Sequence, residues 1–181
     1  MIYFDNAATT KYKPKEVMDA FAYYVTEIGV SPGRGSYSLG IEASRMLYKS
    51  RMTVAKYFGL DEPNVVFTKN STEAINLFFR GYLKKGDHVV ISPYEHNAVL
   101  RPLEAMQQEG VIEYSVIERS NLEKSSDFII KKYFKANTRL IVLTLASNLT
   151  GRVVFNKELF RATSELGVES FVDASQGAGK I

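Results

Sequence analysis

The 181-residue sequence contains no cysteine and only two histidines. Without cysteine the chain can form neither a disulfide framework nor a thiolate metal site, and two histidines are too few for a typical zinc site. The sequence also lacks a run of about 20 apolar residues, the length that spans a bilayer. We therefore expect no metal site and no membrane span.

The chain also lacks a large excess of charge of either sign. The net charge is only +3, and the lysines are scattered, as in Lys84-Lys85 and Lys131-Lys132, rather than gathered on one face. This weak basic excess argues against nucleic acid as a partner. The start of the chain, Met1 to Asp5, lacks the basic and apolar regions of a signal peptide, so we expect a cytoplasmic location.

The composition is 45% hydrophobic, which is enough for one buried core. Helical periodicity predicts two helices over residues 15–28 and 39–58, and from residue 65 onward strands and helices alternate. Repeated strand-helix units with hydrophobic strands predict an α/β fold with three layers, a mostly parallel sheet between helices. The predicted strands are 65–68, 88–91, 111–117, 140–145 and 168–172, and the helices between them are 74–83, 97–108, 128–134 and 157–166.

Polar side chains follow several of these strands, at the edge where such sheets bind ligands. Asp173 follows the fifth strand, where its carboxylate either contacts a ligand or caps the next turn. His96 follows the second strand, although a lone histidine there is more often structural than catalytic. Asn148 follows the fourth strand, where it contacts a ligand or only forms an Asx turn.

The segment after the first predicted strand is suited to a phosphate. Ser71 and Thr72 supply hydroxyls at a helix start, where free N–H groups and the helix dipole favour an anion. Asn70 and Glu73 also predict a capping box, which is compatible with phosphate binding. No GxGxxG or Walker motif is present, which excludes the usual nucleotide loops. Pyridoxal 5'-phosphate (PLP) has a phosphate, an aromatic face, a phenolic oxygen and a ring nitrogen, which suits these groups.

The motifs occur in one order along the whole chain and closely resemble the N-terminal part of class V PLP-dependent enzymes. Among these enzymes the chain most resembles the cysteine desulfurases and selenocysteine lyases. The resemblance implies the large domain of a fold type I PLP enzyme, incomplete here, with residues 1–14 near the active site and residues 15–181 as a partial PLP-binding domain. The matching segments are residues 4–10, Arg34-Gly35, 68–76, 95–99, Ser147-Asn148 and 172–176.

The resemblance also implies a role for each cofactor residue. Ser71 and Thr72 hold the phosphate, and His96 stacks on the pyridine ring, as in the desulfurase branch. Asn148 and Gln176 contact the phenolic oxygen.

Asp173 pairs with the ring nitrogen by the same resemblance. A carboxylate beside that nitrogen keeps it protonated, which makes the ring a better electron sink. Histidine is the side chain that most often transfers protons in enzymes, which suits His96 to such a role. We therefore expect His96 and Asp173 to be the catalytic residues of this chain.

The substrate residues implied by the resemblance lie early in the sequence. Asn6 and Ala7 approach the substrate, and the Arg34 loop lies near the active site of a homodimer. Ser31 departs from the asparagine that similar proteins often have, which leaves the contacts of that loop open.

The implied reaction converts cysteine to alanine and passes sulfur to a cysteine as a persulfide, with a sulfur-acceptor protein as a further partner. A class V aminotransferase, another amino-acid lyase and a non-catalytic module remain alternatives. The family anchors PLP on a lysine in a Ser-Gly-His-Lys type motif, and Lys180 follows Asp173 too closely to be that residue. We expect that lysine, the nucleophilic cysteine and the small domain to lie outside this chain, which is inactive alone.

Overall fold

The computed structural model describes residues 2–61 and 64–181. The chain divides into two compact units, residues 1–67 and 68–181. In the first unit, helix α1 (Lys15–Tyr23) continues into a π-helical turn (Tyr24–Ile28), and helix α2 spans Ser38–Phe58. The two predicted helices are thus confirmed, and each ends at a glycine with positive φ, Gly29 and Gly59.

The second unit alternates helices and strands, as predicted. Its observed helices and strands differ from the predicted ranges by at most three residues at either end. Its elements are α3 (Ser71–Tyr82), β1 (Asp87–Ile91), α4 (Asn97–Gln108), β2 (Ile112–Val116), α5 (Ser126–Tyr133), β3 (Thr138–Thr144), α6 (Lys157–Glu165) and β4 (Glu169–Asp173).

The four strands form one sheet in the order β2-β1-β3-β4. Every neighbouring pair is parallel, and the register places Thr144 of β3 opposite Asp173 of β4. Because the strands are parallel, the segments that follow β1, β3 and β4 leave the sheet at the same edge.

Helices cover both faces of this sheet. Alternate residues of a strand point to opposite faces, so Val89 and Ile91 pack with α3 and α4, whereas Val90 packs with α5 and α6. The predicted three-layer α/β architecture is therefore confirmed. In the described ranges, no helix is both long enough and apolar enough to cross a bilayer.

The prediction of a strand over residues 65–68 is wrong. This segment pairs with no strand of the described chain, and Val66 and Phe67 are 69% and 47% exposed. Its β-branched and aromatic residues favour an extended backbone, but a strand also needs a neighbour for its hydrogen bonds. Ser71 and Thr72, the residues predicted to hold a phosphate, therefore lie at the start of α3, and residues 65–68 before them do not form a strand.

Candidate active site

The start of α3 is capped from both directions. The Asn70 side chain accepts a hydrogen bond from the Glu73 N–H at 2.9 Å, and the Glu73 carboxylate accepts one from the Lys69 N–H at 2.7 Å. The predicted cap at Asn70 is thus confirmed, with Glu73 reaching back as expected. The N–H groups of Ser71 and Thr72 find no acceptor in the part of the chain that the structure describes. They remain as donors for an anion.

His96 caps the start of α4. Its Nδ1 accepts a hydrogen bond from the Ala98 N–H at 3.1 Å, and the side chain is otherwise exposed. Because Nδ1 is the acceptor, the neutral ring carries its proton on Nε2. The ring face and the Nε2–H group are both open to a ligand.

The starts of α3 and α4 face one cavity. Thr72 and His96 both line this cavity, which has a volume of about 360 Å³, together with Arg80 and Arg101. The positive ends of two helix dipoles and the Arg101 guanidinium favour an anion there, whereas the Arg80 guanidinium pairs with Glu109 at 3.8 Å. Sequence reasoning missed the two arginines, which gave no signal because each lies within a helix, away from the strand ends.

Asp173 lies at the end of β4 and is 7% exposed. One oxygen, Oδ1, accepts hydrogen bonds from the N–H and the hydroxyl of Ser175 at 3.0 and 2.6 Å. The turn-capping alternative is therefore correct for this oxygen. Within residues 2–61 and 64–181, Oδ2 has no hydrogen-bond partner. It is available to an N–H group of a ligand.

Glu95 is a site residue to which sequence reasoning assigned no role. Its side chain is 8% exposed, and Oε1 accepts hydrogen bonds from the Ser92 hydroxyl at 2.5 Å and the Thr144 N–H at 2.7 Å. Its other oxygen, Oε2, is buried without a partner in the described chain. Burial raises the pKa of Glu95 to about 7, and the negative charge of Asp173 acts in the same direction. The sequence signal that could have identified Glu95 is its position directly before His96, the histidine that follows β1.

Ser147, and not Asn148, forms the turn after β3. The Ser147 hydroxyl accepts hydrogen bonds from the Leu149 and Thr150 N–H groups at 3.3 and 3.4 Å. The half-buried Asn148 amide forms no hydrogen bond with any described residue. The Asx-turn alternative for Asn148 is therefore wrong, and its amide is open to a ligand.

Gln176 lies half-buried in the turn that follows Asp173. The next residue, Gly177, approaches the end of β3 so closely that a Cβ atom would lie 2.2 Å from the Leu145 side chain. This close contact fixes the turn that carries Gln176 against the sheet.

Contacts between elements bring these groups to one edge of the second unit. Thr72 shares a cavity with His96, and the neighbouring Glu95 is electrostatically coupled to Asp173. The ring of Phe78 in α3 also stacks on Phe171 of β4 at 4.9 Å, two residues before Asp173. Free N–H donors, an exposed imidazole, an unused amide and an unpaired carboxylate oxygen fit the phosphate, ring face, phenolic oxygen and ring nitrogen of PLP.

The three residues predicted to bind substrate lie in the first unit. Asn6 bonds within its own turn, accepting from the Lys11 N–H at 3.4 Å and donating to the Tyr3 carbonyl at 3.5 Å, and Ala7 lies in the same turn. Arg34 is exposed on a loop that is fastened to α2, because the Gly33 N–H donates to the Ser44 hydroxyl at 2.9 Å. Contact of Asn6, Ala7 and Arg34 with a substrate stays a prediction.

Comparisons with known proteins agree on one family. The family model described as aminotransferase class-V matches residues 2–181. A probable cysteine desulfurase of Methanothermobacter thermautotrophicus is 34% identical over 188 residues, which cover 99% of this chain. The ligand-free cysteine desulfurase structure of Thermococcus onnurineus NA1 is 31% identical, with a TM-score of 0.88 over 99% of this chain.

The fold recurs at lower identity as well. A C-DES variant with glycine covalently linked to its PLP cofactor has a TM-score of 0.81 and is 19% identical. The chain spans less than half the length of its relatives, since it covers 45% of both the Methanothermobacter and the Thermococcus proteins. The family match, by contrast, extends over almost every residue of the chain. The chain therefore belongs to the class-V aminotransferase family.

Proposed function

We propose that this chain is the PLP-binding part of a cysteine desulfurase-like enzyme, which converts cysteine to alanine and passes the sulfur on as a persulfide. The observation that carries the proposal is the unpaired Oδ2 of Asp173, on a nearly buried carboxylate at the sheet edge where His96 also lies. A carboxylate in that environment is suited to a protonated ring nitrogen. The cysteine desulfurases among its relatives support the choice of substrate.

Ser71 and Thr72 would hold the phosphate of PLP. Their unsatisfied N–H groups and hydroxyls at the start of α3 provide four donors, and the helix dipole adds a positive potential. Arg101 would add positive charge near this position, since it lines the cavity that Thr72 shares with His96.

Three side chains would orient the ring. His96 would stack on it through its exposed imidazole, while Asn148 and Gln176 would contact the phenolic oxygen. Asp173 would keep the ring nitrogen protonated. PLP, when bound, supplies an electron-poor ring that accepts the electron pair left at the substrate α-carbon. His96 and Asp173 are thus the catalytic residues that we assign to this chain.

The substrate would approach Asn6 and Ala7, and the Arg34 loop would lie near the active site of a homodimer. Because these 181 residues contain no cysteine, the proposal assigns the sulfur-accepting thiol to residues outside them, with a sulfur-acceptor protein as the next partner. The same applies to the lysine that anchors PLP in the family.

The experiment has two arms. Equilibrium dialysis of the purified chain with PLP should show saturable binding, and the paired substitutions Ser71→Ala and Thr72→Ala should weaken it at least tenfold, because hydrogen bonds to a charged group contribute about 1.5–3 kcal/mol each. The complete gene product should then release alanine from cysteine. An aminotransferase would release a 2-oxo acid instead, and a chain that binds no PLP would contradict the proposal.

A further inference from the structure

The proposed function leaves one buried titratable group of the site unused, the carboxyl of Glu95. We propose that Glu95 is a positioning residue that, in its neutral form, joins the start of α4 to the ends of β3 and β4 and thereby fixes His96 relative to Asp173. This inference deepens the proposed function and rests on it for the ligand that the two residues would share.

The connection follows a short path through the fold. Glu95 directly precedes His96, and its Oε1 accepts the Thr144 N–H at 2.7 Å. Thr144 is the register partner of Asp173, and the N–H of the next residue, Leu145, donates to the Asp173 carbonyl at 2.8 Å. A single side chain thus connects the residue that would stack on the ring with the residue that would face the ring nitrogen.

A second contact fixes the carboxyl within its own segment, between β1 and α4. The Ser92 hydroxyl, just beyond β1, donates to the same Oε1 at 2.5 Å. The Ser92 hydroxyl and the Thr144 N–H both donate to Oε1. In the neutral acid the proton of the carboxyl is therefore on Oε2. That atom, Oε2, is buried and has no partner among the described residues.

The surroundings of Glu95 favour the neutral acid. Ser92, just after β1, and Thr144 of β3 are uncharged, and the Nδ1 atom of His96 at the start of α4 accepts from the Ala98 N–H. Among the described residues, the charged group that acts on Glu95 is Asp173 on β4, which is also negative, and no cation acts on it. Ionisation of Glu95 would therefore bury a second anion next to the first, and this is costly.

The protonation state matters for the site. With Glu95 neutral, Asp173 is the negative charge that would face the ring nitrogen, and the contact between Glu95 and Thr144 carries no repulsion. When Glu95 ionises, its hydrogen bonds become charge-assisted and stronger, but desolvation and the repulsion from Asp173 oppose this gain. The opposing effects prevail, since the pKa of Glu95 is raised to about 7.

Two substitutions separate positioning from simple packing. Glu95→Gln retains an oxygen that can accept from Ser92 and Thr144 and stays neutral at every pH, so it imitates the protonated acid. Glu95→Ala removes the connection. Glu165→Gln, on the exposed side of α6, is the matched control for loss of a glutamate charge.

The first readout needs no ligand. In ligand-free protein with ¹³C-labelled glutamate carboxyls, one NMR resonance should titrate near pH 7, be absent from Glu95→Gln and titrate at lower pH in Asp173→Asn. The Glu165→Gln control should leave that resonance unchanged. A Glu95 resonance that titrates at the ordinary glutamate value would overturn the inference.

The second readout is the affinity for PLP across pH 6 to 8. Relative to Glu95→Gln, the wild-type protein should lose about threefold or more in affinity as the pH rises through 7, whereas Glu95→Ala should bind about tenfold more weakly throughout. Parallel profiles of PLP affinity against pH for wild type and Glu95→Gln would overturn the inference. This comparison does not need Glu95→Ala, so it tests the inference even if that variant fails to fold. If wild type binds no PLP but its resonance titrates near 7 and responds to Asp173→Asn, the proposed function fails while the coupling of Glu95 to Asp173 is supported.

Discussion

The carboxyl of Glu95 accepts a hydrogen bond from the backbone N–H of Thr144 at 2.7 Å, although 49 residues separate them in sequence. This bond joins the segment after β1 to the end of β3, directly beside Asp173 of β4. The polar groups that follow separate strands therefore form one connected structure, and several measurable properties depend on it.

The stability of the chain should fall as the pH rises from about 5 to 8. The pKa of Glu95 is about 7 in the folded chain, above its ordinary value of 4.5, so the folded state holds this proton more tightly than the unfolded state. The resulting stabilisation is fully present below pH 4.5 and is lost through pH 7, on the order of 3 kcal/mol at about 1.4 kcal/mol per pKa unit. Urea denaturation at several pH values measures it.

Glu95→Gln should remove this pH-dependent part of the stability, and Glu165→Gln should retain it. Equal slopes of unfolding free energy against pH for wild type and Glu95→Gln would show that Glu95 is not the group responsible.

Asp173→Asn should reduce turnover of the complete enzyme by about 100- to 1,000-fold, the usual scale for removing one electrostatic contact to developing charge. Asparagine retains an oxygen for the Ser175 contacts but cannot keep the ring nitrogen protonated. The affinity for PLP should change much less than the turnover number. Steady-state kinetics beside equilibrium dialysis checks this, and near-normal turnover would reject the assigned role.

Asn70→Ala should cost about 1 kcal/mol of stability and also weaken PLP binding. Asn70 accepts the Glu73 N–H at the start of α3, and loss of such a cap typically costs about 0.5–2 kcal/mol and frays the first turn. That turn carries Ser71 and Thr72.

Asn156→Ala is the matched control, because Asn156 caps α6 through the Leu159 N–H at the same distance of 2.9 Å. It should lower stability by a similar amount and leave PLP binding unchanged. Equal losses of PLP affinity in both variants would show that the start of α3 has no specific role in PLP binding.

Phe79→Ala should destabilise the chain by about 3–5 kcal/mol, the range for removing a buried aromatic ring. Phe79 is fully buried and lies 5.5 Å from Phe171, ring centre to ring centre, so it fastens α3 to β4. Phe128→Ala, on a side chain that is 40% exposed, should cost far less. Thermal unfolding of the two variants compares them, and equal shifts in Tm would contradict this account of the core.

Most of the fold could be predicted because its signals are local. The periodicity of apolar residues, and the glycines that follow several helices, located the helices and strands of the second unit to within a few residues. Residues 65–68 are the exception, since their composition favours a strand while pairing depends on a distant neighbour that composition does not reveal.

The positions of His96, Asn148 and Asp173 after strands were predictable from the sequence, whereas their contacts with a ligand stay predictions. Glu95 was missed because its significance arises from burial and from its contact with Thr144, neither of which a sequence displays. The sequence left open whether Asn148 forms the turn after β3, since Ser147 and Asn148 have similar turn propensities and only the hydrogen bonds identify Ser147 as the residue that does.

The central claim is that Asp173 faces the ring nitrogen of PLP, and ¹⁵N NMR of PLP labelled at that nitrogen tests it most directly. In the wild-type protein the nitrogen should give the shift of a protonated pyridinium, and in Asp173→Asn it should give the shift of an unprotonated pyridine. The same shift in both proteins would contradict the claim.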